Sequence, residues 1–255
     1  MKQFIFLLGG YDLEMLEIKR ILESRDDILV FDEHLRWDNA DLSMYSTVLK
    51  KYGNNADVMI YGIELYEKNI SSVPENYHRI DHHNDLNDKN SALEQVAEIL
   101  RIKLSREQQL IAANDRGYIP AMKALGADPG EIEEIRKKDR NIQGVTEEDE
   151  QKAEMAIKNK VLEQDIVVVK SETNRFSPIC DRLYPYDKLL VYTCNELMYY
   201  GIGKEKLAQQ FENEIKEGKM FHGGGAEGYI GTARGAYSNN EILNMKNNII
   251  QLINQ

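Results

Sequence analysis

The sequence predicts an α/β protein in which a parallel-sheet N-terminal domain is joined by helices to a smaller, mixed α/β C-terminal domain. Three observations carry the prediction. Short apolar runs alternate with helix-period stretches through the first part of the chain, the signature of βαβ units. A charged, strand-poor stretch occupies residues 130–164, and strand-like runs return after it. These shifts divide the chain into a domain over 1–129, a helical linker over 130–164 and a second domain over 165–255.

The first strand is predicted over residues 4–8, where Phe4, Ile5, Phe6, Leu7 and Leu8 make an unbroken apolar run of strand length. Gly9 and Gly10 then turn the chain, and Leu13, Leu16, Ile21 and Leu22 recur at helical spacing. Further strands are expected over 28–31, 58–61 and 77–80, with helices over 42–51, 92–101 and 107–113. Ser91 with Glu94, and Ser105 with Gln108, stand in capping-box spacing at the start of the last two helices. The acidic runs 131–134 and 146–150 retain enough Ala, Ile, Met and Leu nearby to be helical. The second domain then reads as strands over 166–170, 189–193 and 196–200, a helix over 205–216 and a glycine cluster.

A chain with 42% hydrophobic and 29% charged residues has the composition of a soluble globular protein. Its longest apolar runs fall far short of the roughly 20 residues that cross a bilayer, and its start leads straight into a strand rather than a signal peptide. A cytoplasmic protein with no membrane partner is expected. Cys180 and Cys194 are the two cysteines and lack metal-knuckle spacing, which fits reduced thiols. With 32 basic against 43 acidic residues the net charge is −11, which repels long polyanions. A small phosphorylated or nucleotide-like substrate is favoured over long nucleic acid.

The most informative segment is Asp81-His82-His83, a carboxylate and two imidazoles directly after a short strand. In a parallel sheet, ligands gather at the carboxyl ends of strands, which would bring these side chains into one crevice. Asp12 and Glu14 follow the first strand, Glu64 follows the strand near Tyr61, and Asp115 stands at the expected end of a helix. Four carboxylates with one or two imidazoles suit one or two divalent cations, manganese, iron or zinc. Each acid also has a plainer reading: Asp12 as the N-cap of the first helix, Glu14 as a partner of its dipole, Glu64 as a solvated charge. Only their joint placement argues for metal.

Near the other end, six glycines fall within the thirteen residues from Gly223 to Gly235. Glycine lets backbone N–H groups turn toward an anion and lets it approach closely. His222, Gly223, Gly224, Gly225 and Arg234 are therefore candidate substrate contacts, and Arg175 is another from a loop between second-domain strands. A flexible turn and ordinary surface ion pairs are the competing readings, with Arg175 and Arg182 paired to Asp181 and Asp187.

Taken in order, these pieces resemble the DHH family of phosphoesterases, named for the motif present here as Asp81-His82-His83. The resemblance spans nearly the whole chain, from the acidic motif after the first strand through Asp115 to Gly223-Gly224-Gly225. It implies a parallel α/β domain holding two manganese or magnesium ions and a smaller α/β domain that grips the substrate. Asp12, Glu14, Glu64, His82 and Asp115 are then the implied metal set, His83 the phosphate contact and Asp81 the residue that orients the histidines. The pattern departs in places. Leu8 stands where the family commonly has histidine, Asp12-Leu13-Glu14 replaces Asp-x-Asp, a middle-strand aspartate is replaced by Glu64 or lost at Gly62, and Ala226 follows the glycines. His34 is the candidate substitute ligand, against the plainer reading of an exposed loop residue.

Three functions compete on this reading. The first is hydrolysis of a phosphodiester or phosphoanhydride in a small or short nucleotide-like substrate. The second is a regulatory module that has lost catalytic metal but still binds a nucleotide or phosphate. The third is a single-strand exonuclease, for which some of the fourteen tyrosines would serve as stacking platforms rather than as core packing.

Overall fold

An uninterrupted apolar run is satisfied where both faces of a sheet are covered, and β1 (Gln3–Leu7) lies in such a place, with Ile5, Phe6 and Leu7 fully buried. The computed structural model describes residues 2–37, 39–83, 86, 88–224 and 227–254. The chain divides into two compact units, Met1–Gln143 and Gly144–Gln255.

In the first unit β1 is followed by α1 (Leu13–Glu23), β2 (Ile28–Phe31), α2 (Ser46–Tyr52), β3 (Val58–Ile63), β4 (Tyr77–Ile80), α3 (Ala92–Leu100), α4 (Arg106–Ala124) and α5 (Pro129–Ile142). The strands pair in parallel in the order β2-β1-β3-β4, with Leu7 opposite both Phe31 and Gly62, and Ile63 opposite Ile80. The chain steps outward from β1 to β2 and then back across β1 to β3. This reversal opens a crevice at the carboxyl ends of β1, β3 and β4. Ile5, Leu7 and Ile60 pack on one face with Leu42, Tyr45 and Leu49, while Phe6 and Tyr61 stack with ring centroids 5.0 Å apart.

Ser91 and Ser105 cap α3 and α4 in the boxes expected of them. The helix expected over 107–113 runs further, to Ala124, and is kinked rather than ended. Gly117 and Tyr118 leave helical geometry, Tyr118 at φ 57°, so Asp115 sits two residues before a break. The stretch expected to link two domains is instead divided between them. α5 buries Ile132 and Ile135, and its Arg136 donates to Asn114 of α4 at 2.9 Å, which fixes it in the first unit.

The second unit contains α6 (Glu147–Lys158), β5 (Val161–Glu163), β6 (Ile166–Lys170), α7 (Ser177–Leu183), β7 (Lys188–Tyr192), β8 (Leu197–Gly201), α8 (Lys204–Gln210), α9 (Glu212–Lys216), β9 (Met220–Gly223), β10 (Tyr229–Thr232) and α10 (Asn239–Ile253). Its sheet is mixed, in the order β5-β6-β7-β8-β10-β9, with β6 and β7 the parallel pair. Along β7 the side chains alternate as a covered strand requires. Leu190 joins a core with Leu207, Ile242 and Ile249, and Leu189 and Val191 join one with Ala153, Ala156 and Ile179. The helix expected over 205–216 breaks at Phe211, whose ring turns into the first of these cores. The glycine cluster, read as a loop, is largely a hairpin of β9 and β10.

Candidate metal centre

Each strand of the crevice ends in a side chain that carries charge. Past β1, Asp12 caps α1: its Oδ1 accepts the Met15 N–H at 2.8 Å. Two residues on, Glu14 is buried, and its Oε1 accepts the Leu93 N–H at the start of α3, at 3.1 Å. At the end of β3, Glu64 takes the left-handed region at φ 51°, and its N–H donates to the Ile80 carbonyl at 2.8 Å. A non-glycine residue held there is strained, and such strain is concentrated at functional sites. Gly9 makes the approach of these strand ends feasible, because a Cβ there would overlap the carbonyls of Ile63 and Glu64.

After β4 come Asp81, His82 and His83. Asp81 Oδ1 accepts both the backbone N–H of His83 at 2.9 Å and its ring Nδ1–H at 3.0 Å, while Oδ2 takes the Arg79 guanidinium. Burial would raise this carboxyl, but His83 and Arg79 outweigh it and hold it well below the ordinary range. The Asp81 contact in turn raises the His83 imidazole. Gln95 of α3 donates to the Asp81 carbonyl at 3.1 Å and pins the segment to the helix.

His82 turns inward. Its Nε2 lies 2.6 Å from Asp115 Oδ2, 3.3 Å from Glu64 Oε1 and 3.9 Å from Glu14 Oε2. These four atoms are all buried, and none has a partner in hydrogen-bond geometry among the described residues. Ligand atoms of Glu64, His82, His83 and Asp115 lie within 4.8 Å of one another. Crowded acids repel: burial first, then Asp115 and Glu64, raise Asp12 and Glu14 well above the carboxylate range, and burial also raises Glu64. Burial opposes charge on His82, yet Asp115 and Glu64 push its imidazole up to about 10. A pocket of carboxylate oxygens and one imidazole nitrogen, all lacking such partners, fits a divalent cation in donor type and in charge.

Over 98% of this chain and 87% of the other, the molecule is similar, with a TM-score of 0.52 and 11% sequence identity, to a structure described as a DHH domain in a member of a family of ribosomal proteins. The chain has the DHH-domain fold. A structure of RecJ in complex with Mn2+ from Thermus thermophilus is similar over 97% of this chain and 51% of that one, with 10% identity and a TM-score of 0.47. No protein-family model and no curated protein sequence matches the chain.

Within this DHH fold the departures noted in the sequence have physical explanations. Leu8 is 1% exposed in the core, and its carbonyl accepts the Tyr45 hydroxyl at 2.6 Å, so that position offers no ligand. Gly62 has no room for a side chain, because a Cβ would meet the Tyr77 ring, and Glu64 supplies the acid beyond β3. His34 is exposed beside Asp32, which is itself paired with Lys19 at 2.7 Å. It therefore stays out of the cluster around His82.

In the second unit the candidate contacts separate. His222 and Gly223 end β9, Gly224 turns the chain at φ 72°, and Gly225 lies outside the described residues. That turn precedes β10, whereas Arg234 follows it, so the two lie at opposite ends of the strand. Arg234 pairs with Glu196 at 3.2 Å, and Glu196 also accepts from the side chain of Asn174, next to the exposed Arg175. Register thus sets Arg234 apart from the glycine turn, while the Arg175 guanidinium lies beside Gly144. Arg182 pairs with Glu150 at 2.6 Å and Glu154 at 3.4 Å of α6, in place of the expected aspartates. Two contributors escaped the sequence reading. Arg79 could have been found from its i, i+2 spacing to Asp81 on one strand face. The Arg136–Asn114 contact, which steadies α4 beside Asp115, leaves no local signal.

Proposed function

We propose that the chain is a divalent-metal-dependent phosphoesterase acting on a phosphodiester or phosphoanhydride of a small or short nucleotide-like substrate. The observation that carries this reading is the convergence of Glu14 Oε2, Glu64 Oε1, His82 Nε2 and Asp115 Oδ2, buried and without hydrogen-bond partners among the described residues. These four residues would hold the cation, with Asp12 at the margin because one of its oxygens caps α1. Manganese, magnesium, iron or zinc suits such donors. A bound divalent ion supplies a water of lowered pKa and stabilises charge developing on a phosphoryl group.

The protein's own groups account for the remainder. His83 is half exposed, and Asp81 occupies its Nδ1, so Nε2 is the nitrogen left to face a substrate oxygen. The same Asp81 contact favours the protonated ring, which suits donation to a phosphate. Asp81 is a positioning residue, fixed by Arg79 and by the N–H of His83. The backbone at Gly223 and Gly224 is the second-unit candidate for an anion contact.

A second reading, a nucleotide- or phosphate-binding regulatory protein, draws on Leu8 and Asp12, where the DHH pattern is left with an apolar residue and a helix cap. One experiment separates the two. Purified protein is analysed for bound metal and assayed with manganese against small phosphodiesters, cyclic dinucleotides and pyrophosphate. Near-stoichiometric metal with manganese-dependent turnover of a panel member is expected. Absence of both metal and turnover would leave the regulatory reading in its place.

A further inference from the structure

Trp37 is the one tryptophan of the chain, and it stands at the rim of the metal cluster with 40% of its surface exposed. The loop that carries it leaves the carboxyl end of β2 and is anchored on both sides. Leu35 and Ala40 are buried. The Arg36 N–H donates to Asn39 Oδ1 at 2.7 Å and the Asn39 N–H to the Arg36 carbonyl at 2.9 Å, two hydrogen bonds that hold the residue before the indole. Beyond it, Tyr66 N–H donates to the Ala40 carbonyl at 2.8 Å and ties the loop to the segment after β3.

One face of this indole is already covered. A Cβ on Gly10 would lie 2.5, 2.6 and 2.8 Å from Cδ2, Cε3 and Cε2 of Trp37. Three near-equal distances to three bonded ring atoms mean that the Gly10 backbone sits over the ring face rather than at its edge. The His83 imidazole approaches edge-on, with centroids 5.7 Å apart and planes at 66°. An amphipathic ring backed by glycine, 40% exposed and beside the histidine proposed to meet the phosphate, is placed to offer its exposed surface as an aromatic shelf. Every nucleobase has a π-face to set on such a shelf, whereas a sugar or a bare phosphate has none.

We infer that Trp37 is a substrate-positioning residue that stacks on the base of a nucleotide whose phosphate is held at the neighbouring metal cluster. The inference rests on the phosphoesterase reading of that cluster and narrows it to substrates carrying an aromatic base next to the phosphate. Pyrophosphate and sugar phosphates would then be poor ligands.

Because no other tryptophan contributes, emission of the full-length wild-type protein excited at the red edge of the absorption band, where the fourteen tyrosines do not absorb, reports this residue alone. AMP and ribose 5-phosphate are titrated in the presence of magnesium, with binding measured in parallel by calorimetry. AMP should change the emission saturably, and ribose 5-phosphate should not. Trp37→Ala should weaken AMP binding by roughly 5- to 150-fold, the range of one base–aromatic stack, and Trp37→Phe should restore most of it. The inference is overturned if AMP binds without changing the emission, or if AMP and ribose 5-phosphate bind equally well and change it alike. Either result leaves manganese-dependent hydrolysis untouched. Failure of both ligands to bind, together with no hydrolysis of any panel compound, overturns the phosphoesterase reading and this inference with it.

Discussion

His82 faces three carboxylates, and its Nε2 makes no hydrogen bond of good geometry with any of them, although Asp115 Oδ2 is only 2.6 Å away. Charge attraction to Asp115 and Glu64 offsets part of the burial cost of His82, but four buried atoms without hydrogen-bond geometry among the described residues leave room for a cation to complete them. His82→Ala should remove the single nitrogen donor of the set. Bound manganese should fall well below one equivalent and turnover should be lost, while circular dichroism stays that of the folded chain. Retained metal and activity in this variant would show that the cation sits elsewhere. Asp81 acts through its neighbour. Asp81→Asn keeps the shape but weakens the hold on His83 Nδ1, and loss of such an outer contact typically lowers metal affinity or activity about 10–100-fold. The variant should therefore show reduced turnover and a His83 that loses its proton at lower pH, followed by NMR titration of the imidazole.

Strand ends have to come close before these atoms can meet, and Gly9 sets how close. A methyl group there would overlap the Ile63 and Glu64 carbonyls, forcing the carboxyl ends of β1 and β3 apart. Gly9→Ala should destabilise the protein by about 1–3 kcal/mol, the usual range for overpacking, and weaken metal binding by moving Glu64. Denaturant unfolding and metal titration measure the two effects; an unchanged midpoint would mean that the strands have room to spare. The same geometry explains what the sequence made legible. Parallel strands bring their carboxyl ends to one edge, so acids after β1, β3 and β4 could be placed together from order alone. Ser91 and Ser105 announced α3 and α4 through local capping patterns. Pairing across distance is where local reading fails. Glycines hid the strands β9 and β10, because Gly231 has no side chain to mark an alternation and its fit against Met198 exists only in the folded sheet. The same limit separated Arg234 from the glycine turn, since adjacency in sequence says nothing about which end of a strand a residue occupies. The kink after Asp115 was also out of reach, because it depends on Gly117 and Tyr118 leaving helical geometry against α5, where Arg136 stacks 4.6 Å from the Tyr118 ring.

For the molecule as a whole, the crowded carboxylates tie folding to pH and to metal. The folded state raises Asp12, Glu14 and Glu64 above their unfolded values near 4. From about pH 4 up to those raised values these three groups hold more protons in the native chain than in the unfolded one, so their contribution to stability falls as pH rises. His82 adds to the trend: its favourable contribution is complete below the ordinary histidine value of about 6.5 and is lost as pH rises through about 10. Without metal, the chain should accordingly melt at a lower temperature at mildly alkaline than at mildly acidic pH. A cation that binds only the folded state reverses the trend, since it needs the carboxylates and His82 deprotonated and competes best where protons are scarce. At a manganese concentration about 100 times its dissociation constant the gain is about 2.7 kcal/mol, or roughly 5–10 °C in melting temperature for a chain of this size. Melts with EDTA and with manganese, recorded at about pH 5.5 and about pH 8, should show the larger manganese shift at the higher pH. An equal shift at both values would mean that the metal binds without displacing protons, and hence not among these residues.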